Sequence, residues 1–392
     1  MVDNYKEVLN QRVDDLRESI IKTDVDKQKQ FSVEINLTEH CNFKCEYCFE
    51  GHEKKRLKTN NLNDDPSKII KVIYSMFDDT WFKSIFETIN IVFWGGEPTL
   101  NCNLMKYIID EFKNDDRISF MIYTNGSNID NLIPIICEID KEKVNIQISY
   151  DGNPIHNLRR IDKADNPTSM IAVAGMKTLF DNGFEFRIKS TVMPKDFKLM
   201  PEAWDDIYNL RKQFGSMIGY APTIDYYNSN FEDIYLKDLE TSLLEIAKKE
   251  YHIYNGKDHA LLTWFSKNSK RTCGSGTTMC AIDVDGEVYL CHGAIYGGNQ
   301  FPFNYSSINN KHLVYNIRKI RELLSDHIYD DECERCIATT CLRCNYAKYI
   351  NSNKDTLVDK FYDFKCQKDL CKYYKLIGKI NRAFMTTIGG II

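Results

Sequence analysis

No stretch of this chain stays apolar for the roughly 20 residues a helix needs to cross a bilayer, so nothing in its 392 residues reads as a membrane span. Residues 1–24 are charged throughout and lack the apolar centre of a signal peptide. Export to an oxidising compartment is not indicated, and cytoplasmic residence is predicted. A strong charge of one sign is also missing. The formal net charge is −5 and the pI about 6.0, which argues against nucleic acid or an anionic membrane as a partner. Residues 232–255 hold no Pro/Gly-rich linker; their pattern is that of an amphipathic helical connector.

Cysteine, by contrast, is plentiful. Of 14 cysteines, 12 fall into two groups with short internal spacings. In a reducing compartment such grouping signals metal sites rather than disulfides. Cys102 and Cys137 stand outside both groups and read as ordinary small apolar residues. The first group, Cys41, Cys45 and Cys48, follows residues 31–37, whose alternation predicts a strand with Phe31, Val33, Ile35 and Leu37 on one face. Thiols in a loop at a strand's exit can converge on one metal centre. Three thiolates leave one iron of a four-iron cube without a protein ligand, whereas a structural cluster takes four. A zinc knuckle is the competing possibility.

This C-x3-C-x2-C spacing, with Tyr47 before the last cysteine, resembles the signature of the radical S-adenosylmethionine (AdoMet) enzymes. The resemblance implies a [4Fe-4S] cluster on Cys41, Cys45 and Cys48 whose open iron binds the amino and carboxylate groups of AdoMet. It further implies reductive cleavage of AdoMet to a 5′-deoxyadenosyl radical. Tyr47 would then sit near the adenine, with core packing as the alternative.

Downstream, strands are predicted at residues 88–93, 118–123, 144–149, 184–192 and 216–223. Helices are predicted at 67–77, 104–112, 131–139, 168–182 and 200–214. Repeated βα units imply a parallel sheet with helical cover, an α/β fold. Six units fall short of a closed eightfold barrel and match the partial (β/α)6 TIM-like barrel of the family. Gly95, Gly96, Glu97 and Pro98 follow the second predicted strand. Glycines let backbone approach a ligand closely, and a carboxylate can hold an ammonium. The run is similar to the family's GGEP motif, which grips the AdoMet amino group. Thr124 and Asn125 after the third strand, and Ser149 and Asp151 after the fourth, resemble further family stretches that would hydrogen-bond the ribose or the methionyl carboxylate. Plain Asn-Gly and Asp-Gly turns are the alternative. Ser190 and Thr191 on the fifth strand are further candidates.

The second group starts with Cys273, Cys280 and Cys291. Asp285-Gly286 predicts a β-hairpin that brings Cys280 and Cys291 near each other. Cys333, Cys336, Cys341, Cys344, Cys366 and Cys371 follow. The group is similar to the SPASM extension of radical AdoMet enzymes. Its C-x12-G-x4-C part fits that extension, while its C-x2-C-x4-C-x2-C block is shorter than the family's. The interleaved family arrangement implies one auxiliary [4Fe-4S] cluster on Cys273, Cys280, Cys291 and Cys344. A second would take Cys333, Cys336, Cys341 and Cys371, with Cys366 as the alternative last ligand. Two four-cysteine zinc sites are the structural alternative. The chain thus divides into a helical extension at 1–30, where Leu9, Val13, Leu16 and Ile20 recur at helical spacing, a partial barrel at 31–230, a connector at 231–270 and a small cysteine-rich SPASM domain, with hairpin and helices, at 271–392.

Enzymes of this architecture mostly modify ribosomally made peptides or proteins. The resemblance implies a peptide maturase that forms a thioether, carbon–carbon or ether crosslink in a precursor peptide, using a reductant such as flavodoxin or ferredoxin. An anaerobic sulfatase-maturing (formylglycine-forming) enzyme and a peptide epimerase are alternatives. A non-catalytic iron–sulfur electron carrier is an alternative of another class, but a carrier needs no GGEP-type pocket. His292 follows Cys291 where sulfatase maturases carry an Asp base. That argues against formylglycine formation and makes His292 a candidate base, or else a hydrogen-bonding support for the hairpin or cluster. About thirty residues precede the first strand, fewer than the roughly eighty of a leader-binding winged helix.

Overall fold

The computed structural model describes residues 29–50, 61–225, 231–253, 260–265, 273–296, 304–325, 336–338, 341 and 368–389. The predicted N-terminal helix, Cys333, Cys344 and Cys366 lie outside the described residues. Among the described residues, parallel strands follow one another in chain order: β1 (Gln30–Asn36), β2 (Thr88–Trp94), β3 (Ile118–Thr124), β4 (Val144–Ser149), β5 (Arg187–Val192) and β6 (Pro222–Ile224). Helices connect them: α1 (Ser67–Asp78), α2 (Thr80–Ile85), α3 (Cys102–Phe112), α4 (Ile129–Ile136), α5 (Asn153–Arg159), α6 (Ser169–Asp181) and α7 (Met200–Phe214), with α8 (Asp233–Ile253) following β6.

Side-chain alternation separates the two faces of this sheet. Val33, Ile35, Ile91, Phe93, Phe120, Ile122, Ile146 and Ile148 are buried in the core beneath the helices. The intervening positions, among them Glu34, Asn90, Tyr123, Gln147, Ser149 and Lys189, share the opposite face, the barrel lumen. The apolar face is the one residues 31–37 predict, while Val92, Trp94 and Met121 share the lumen face with these polar side chains.

Two expectations are corrected in detail. The sixth strand is Pro222–Ile224 rather than 216–223, because Tyr220 pairs with the Leu261–Thr263 segment instead. The fifth begins at Arg187 rather than 184. Helix α5 was not anticipated; it starts with Pro154 in its first turn and offers only a short apolar stripe.

The predicted hairpin forms from β7 (Met279–Ile282) and β8 (Glu287–Tyr289), with Gly286 at φ +83° in the turn. It does not stand apart from the barrel. β7 pairs in parallel with β1, from Ser32 opposite Met279 to Ile35 opposite Ile282, and β9 (Asn304–Ser307) adds to β8, giving nine strands in one sheet among the described residues. After α9 (His292–Ile295) and α10 (Leu313–Ser325), α11 (Lys368–Gly389) packs on α8. Gly378 lets α11 meet the 336–338 segment: a Cβ there would stand 2.2 Å from the Ile337 carbonyl oxygen. Cys371 lies two turns earlier on the same face of α11 as Gly378.

Candidate functional site

The loop leaving β1 carries Cys41, Cys45 and Cys48 to the C-terminal ends of the parallel strands, where α/β sheets bind ligands. The segment after α5 fastens it from below. Lys44 and Glu46 donate their amides to the Ile161 and Arg159 carbonyls, each at 2.8 Å. Burial pushes Cys41 up to about 11, Cys48 up to about 12, and Cys45 upward as well. As bare side chains they would be neutral at pH 7, so it is a bound cationic core that would favour their thiolate forms. Donors are already aimed at the sulfurs: the Phe43 amide at Cys41 Sγ (3.4 Å), Asn125 Nδ2 at the same sulfur (3.9 Å) and Arg160 Nη1 at Cys45 Sγ (3.9 Å). Among the described residues no three His, Cys, Asp or Glu side chains converge as ligands of one metal ion. Three thiols served by N–H donors are a donor set that suits an iron–sulfur cluster.

The Gly95–Pro98 run sits against this loop. The Gly96 and Glu97 amides donate to the Thr38 and His40 carbonyls, both at 2.8 Å. A Cβ on Gly95, whose φ is +135°, would lie 2.4 Å from the Thr38 oxygen; one on Gly96 would lie 2.3 Å from that of His40. The glycines thus serve the approach of two backbones, where ligand approach alone was expected. Glu97 is buried beneath them and joins the β2 end to the β3 end. It accepts from the Thr99 amide (3.2 Å) and hydroxyl (2.6 Å), the Thr124 hydroxyl (2.7 Å) and the Asn125 amide (2.7 Å). Burial nonetheless holds its carboxyl above the usual range. Oε2 receives only the Asn125 amide among these, so an ammonium can still share it. Asn125 continues the network to the cysteine loop through Asn42 Oδ1 at 2.9 Å.

Asp151, completely buried, is the hub of the β4–β5 side. Its oxygens accept from Arg160 Nε (2.8 Å) and Nη2 (3.3 Å), the Thr191 amide (2.7 Å) and the Tyr47 hydroxyl. Arg160 also lies over the Tyr47 ring, 5.0 Å from its centroid. Tyr47 is therefore tied to Asp151 and Arg160 rather than merely packed, and Asp151 positions the guanidinium beside Cys45. Ser190 is buried with its hydroxyl on the Tyr150 carbonyl at 2.7 Å, and Ser149 is half-buried on the lumen face. Truncating Arg160 would strand Asp151 without its counter-charge. Breaking a buried pair costs about 3–5 kcal/mol, so Arg160→Met is expected to lower the thermal unfolding midpoint by many degrees, and calorimetry on the reconstituted protein checks this.

His292 lies where β8 exits beside β1. Its Nδ1 faces both oxygens of buried Glu34, at 2.8 and 2.9 Å, and its amide donates to Glu34 Oε2 at 2.9 Å. Phe49 and Trp94 flank the ring, with centroids 5.7 and 5.3 Å from it, and Tyr296 packs against both of them. The structure thus joins Cys41–Cys48, Glu97, Thr124, Asn125 and Asp151 at one mouth and holds His292 on its β1 wall. Sequence reasoning missed Arg160 and Glu34. A charge inside the apolar run 31–37 marked Glu34, and a basic pair shortly after Asp151-Gly152 marked Arg160. Cys102 donates to the Thr99 carbonyl at 3.1 Å, as a small interior side chain does, but Cys137 is exposed.

The chain is similar to several known proteins. The family model described as the Radical SAM superfamily matches residues 35–203. The chain is 23% identical over 380 residues to the radical SAM cyclopropyl synthase TigE of Paramaledivibacter caminithermalis, covering 88% of this chain and 72% of that protein. It is 24% identical over 331 residues to the antilisterial bacteriocin subtilosin biosynthesis protein AlbA of Bacillus subtilis, covering 82% and 68%. Among solved structures it is similar to native anSMEcpe with bound AdoMet, at a TM-score of 0.63 and 19% identity over 90% of this chain and 99% of that one. The same protein with AdoMet and the Cp18Cys peptide gives a TM-score of 0.61 at 18% identity, over 90% and 99%.

Proposed function

We propose that this chain, an enzyme of the radical SAM superfamily through residues 35–203, is a maturase that forms a crosslink in a ribosomally made peptide. One observation carries the proposal: the three-thiol loop, the Glu97 network and the Asp151–Arg160 pair meet at the mouth of a lumen that His292 borders. TigE and AlbA, both by name makers of modified products, support the peptide class, and the Cp18Cys complex shows a relative of this fold holding a peptide. When bound, a reduced [4Fe-4S] cluster and AdoMet supply the hydrogen-abstracting radical. Cys41, Cys45 and Cys48 would hold the cluster, Glu97 the AdoMet ammonium, and Arg160 would stand beside the cofactor as a fixed positive charge. The electron that leaves in crosslinking needs an acceptor, which auxiliary clusters in the 271–392 region would provide.

A recurring contact supports those clusters. The amide two residues on donates to the sulfur of Cys41, of Cys273 (3.5 Å from Ser275) and of Cys336 (3.4 Å from Ala338). These are one expected ligand from each of the three sites, and amide donors favour thiolate. Full anaerobic reconstitution is expected to give about twelve irons for three cubes, and 5′-deoxyadenosine on adding AdoMet and reductant. Zinc with no more than about four irons would overturn the auxiliary assignment; iron without 5′-deoxyadenosine would overturn the enzyme. Thiolate ligands and a flavodoxin- or ferredoxin-type donor suit the cytoplasm.

Glu34 fixes the His292 ring so that Nε2 points away from β1, and the side chain is 41% exposed. A carboxylate-oriented imidazole can take a proton from a substrate thiol, hydroxyl or C–H-derived intermediate. His292→Ala is expected to keep iron and 5′-deoxyadenosine formation and to lose mature peptide, read by mass spectrometry. A variant that loses iron instead would assign His292 to cluster support.

A further inference from the structure

Lys189 is a cation that nothing in the described protein answers. It sits on β5 between Ile188 and Ser190, which face the core, so its side chain lies on the lumen face with Thr191. Its register partner on β4 is Ser149, and Gln147 and Tyr123 extend the same face to β3. The barrel encloses Lys189, although solvent still reaches part of it. Among the described residues its amine makes neither a hydrogen bond nor an ion pair. Burial alone lowers it to about 8, so it stays mostly protonated at pH 7. An enclosed ammonium without a partner is costly unless a ligand completes it.

We propose that Lys189 anchors a carboxylate of the peptide substrate, so that the lumen takes a segment presenting an acidic side chain or a free C-terminus. Three observations favour the substrate over the cofactor. The cofactor end of the site already has a cation in Arg160, 3.9 Å from Cys45 Sγ. Lys189 is two residues back along β5 from Thr191, whose amide holds Asp151, a step of about 7 Å toward the barrel floor. Its lumen neighbours Ser149, Gln147, Tyr123 and Thr191 carry hydroxyl and amide groups suited to a peptide backbone. The assignment rests on the reading of this site as peptide-modifying and names the feature it selects.

The test uses cluster-loaded enzyme saturated with AdoMet and two probes: N-acetyl-glutamic acid α-amide and its neutral twin, N-acetyl-glutamine α-amide. N-acetyl-leucine serves as a C-terminal carboxylate. Binding is read by ligand-observed NMR, separately from 5′-deoxyadenosine formation, which tests the enzyme class. At least one acid should bind wild type about tenfold more tightly than the neutral amide. Lys189→Met should remove the difference and Lys189→Arg should restore most of it. Equal binding of acids and amide to wild type overturns the proposal even where the Met variant does not fold. A tenfold loss of AdoMet affinity in Lys189→Met, with probe discrimination intact, assigns the lysine to the cofactor and likewise overturns it.

Discussion

Gly96→Ala is expected to slow AdoMet cleavage on the order of a hundredfold while leaving the sheet intact. The new methyl would stand 2.3 Å from the His40 carbonyl oxygen, 2.5 Å from its carbon and 2.8 Å from the Glu39 oxygen. All three are backbone atoms, so no rotamer change relieves them. His40 directly precedes Cys41, and the contact can only be relieved by pushing the cysteine loop off the β2 end. Overpacking of this kind costs about 1–3 kcal/mol in stability. A shift of about 1 Å in a reactive arrangement costs on the order of a hundredfold in rate. The check is 5′-deoxyadenosine formation per iron in the reconstituted variant. Wild-type turnover there would mean that the Gly96–His40 contact does not set the loop.

Glu97→Ala should have the larger effect on stability. The carboxylate accepts four hydrogen bonds in a fully buried place. Alanine leaves the Thr99 and Asn125 amides and two hydroxyls without that acceptor, and each orphaned buried group costs about 1–3 kcal/mol. Hydroxyls can rotate to other partners and amides cannot, so a total on the order of 3–5 kcal/mol is expected. Losing a charge-assisted contact to the AdoMet ammonium adds roughly 1.5–3 kcal/mol to binding alone. Urea unfolding and AdoMet titration separate the two parts. Glu97→Gln should retain more stability, because its amide oxygen still accepts. Unchanged unfolding in the alanine variant would show that Glu97 does not bridge β2 and β3.

The barrel was legible because its signals are local and periodic. Residues 31–37 spell one buried face, residues 88–93 and 118–123 read as strands, and α7 occupies the 200–214 interval its pattern predicts. The cysteine loop and Gly95–Pro98 were legible from residue type and position at strand ends. What was not legible depends on partners distant in sequence. Tyr220 looks strand-forming in its own window, yet it pairs with Leu262. Glu97 reads as a ligand for a cofactor amine, and only the fold reveals Thr99, Thr124 and Asn125 around it. Glu34 and His292 are 258 residues apart, and no local pattern couples them. Arg160 owes its role to Asp151 and Cys45 on two other segments.

The pairing of β7 with β1 has a consequence for how the chain can be divided. In most α/β barrels the first strand closes against the last; here the Ser32–Ile35 edge of β1 is covered by Met279–Ile282, which the ribosome makes some 250 residues later. Until then a nascent barrel would show the open ladder of its first strand, the kind of edge that recruits strands from other chains. The C-terminal segment is therefore the intramolecular cap of the barrel as well as the seat of its later cysteines. A fragment ended before residue 273 would be expected to trade its missing strand for self-association.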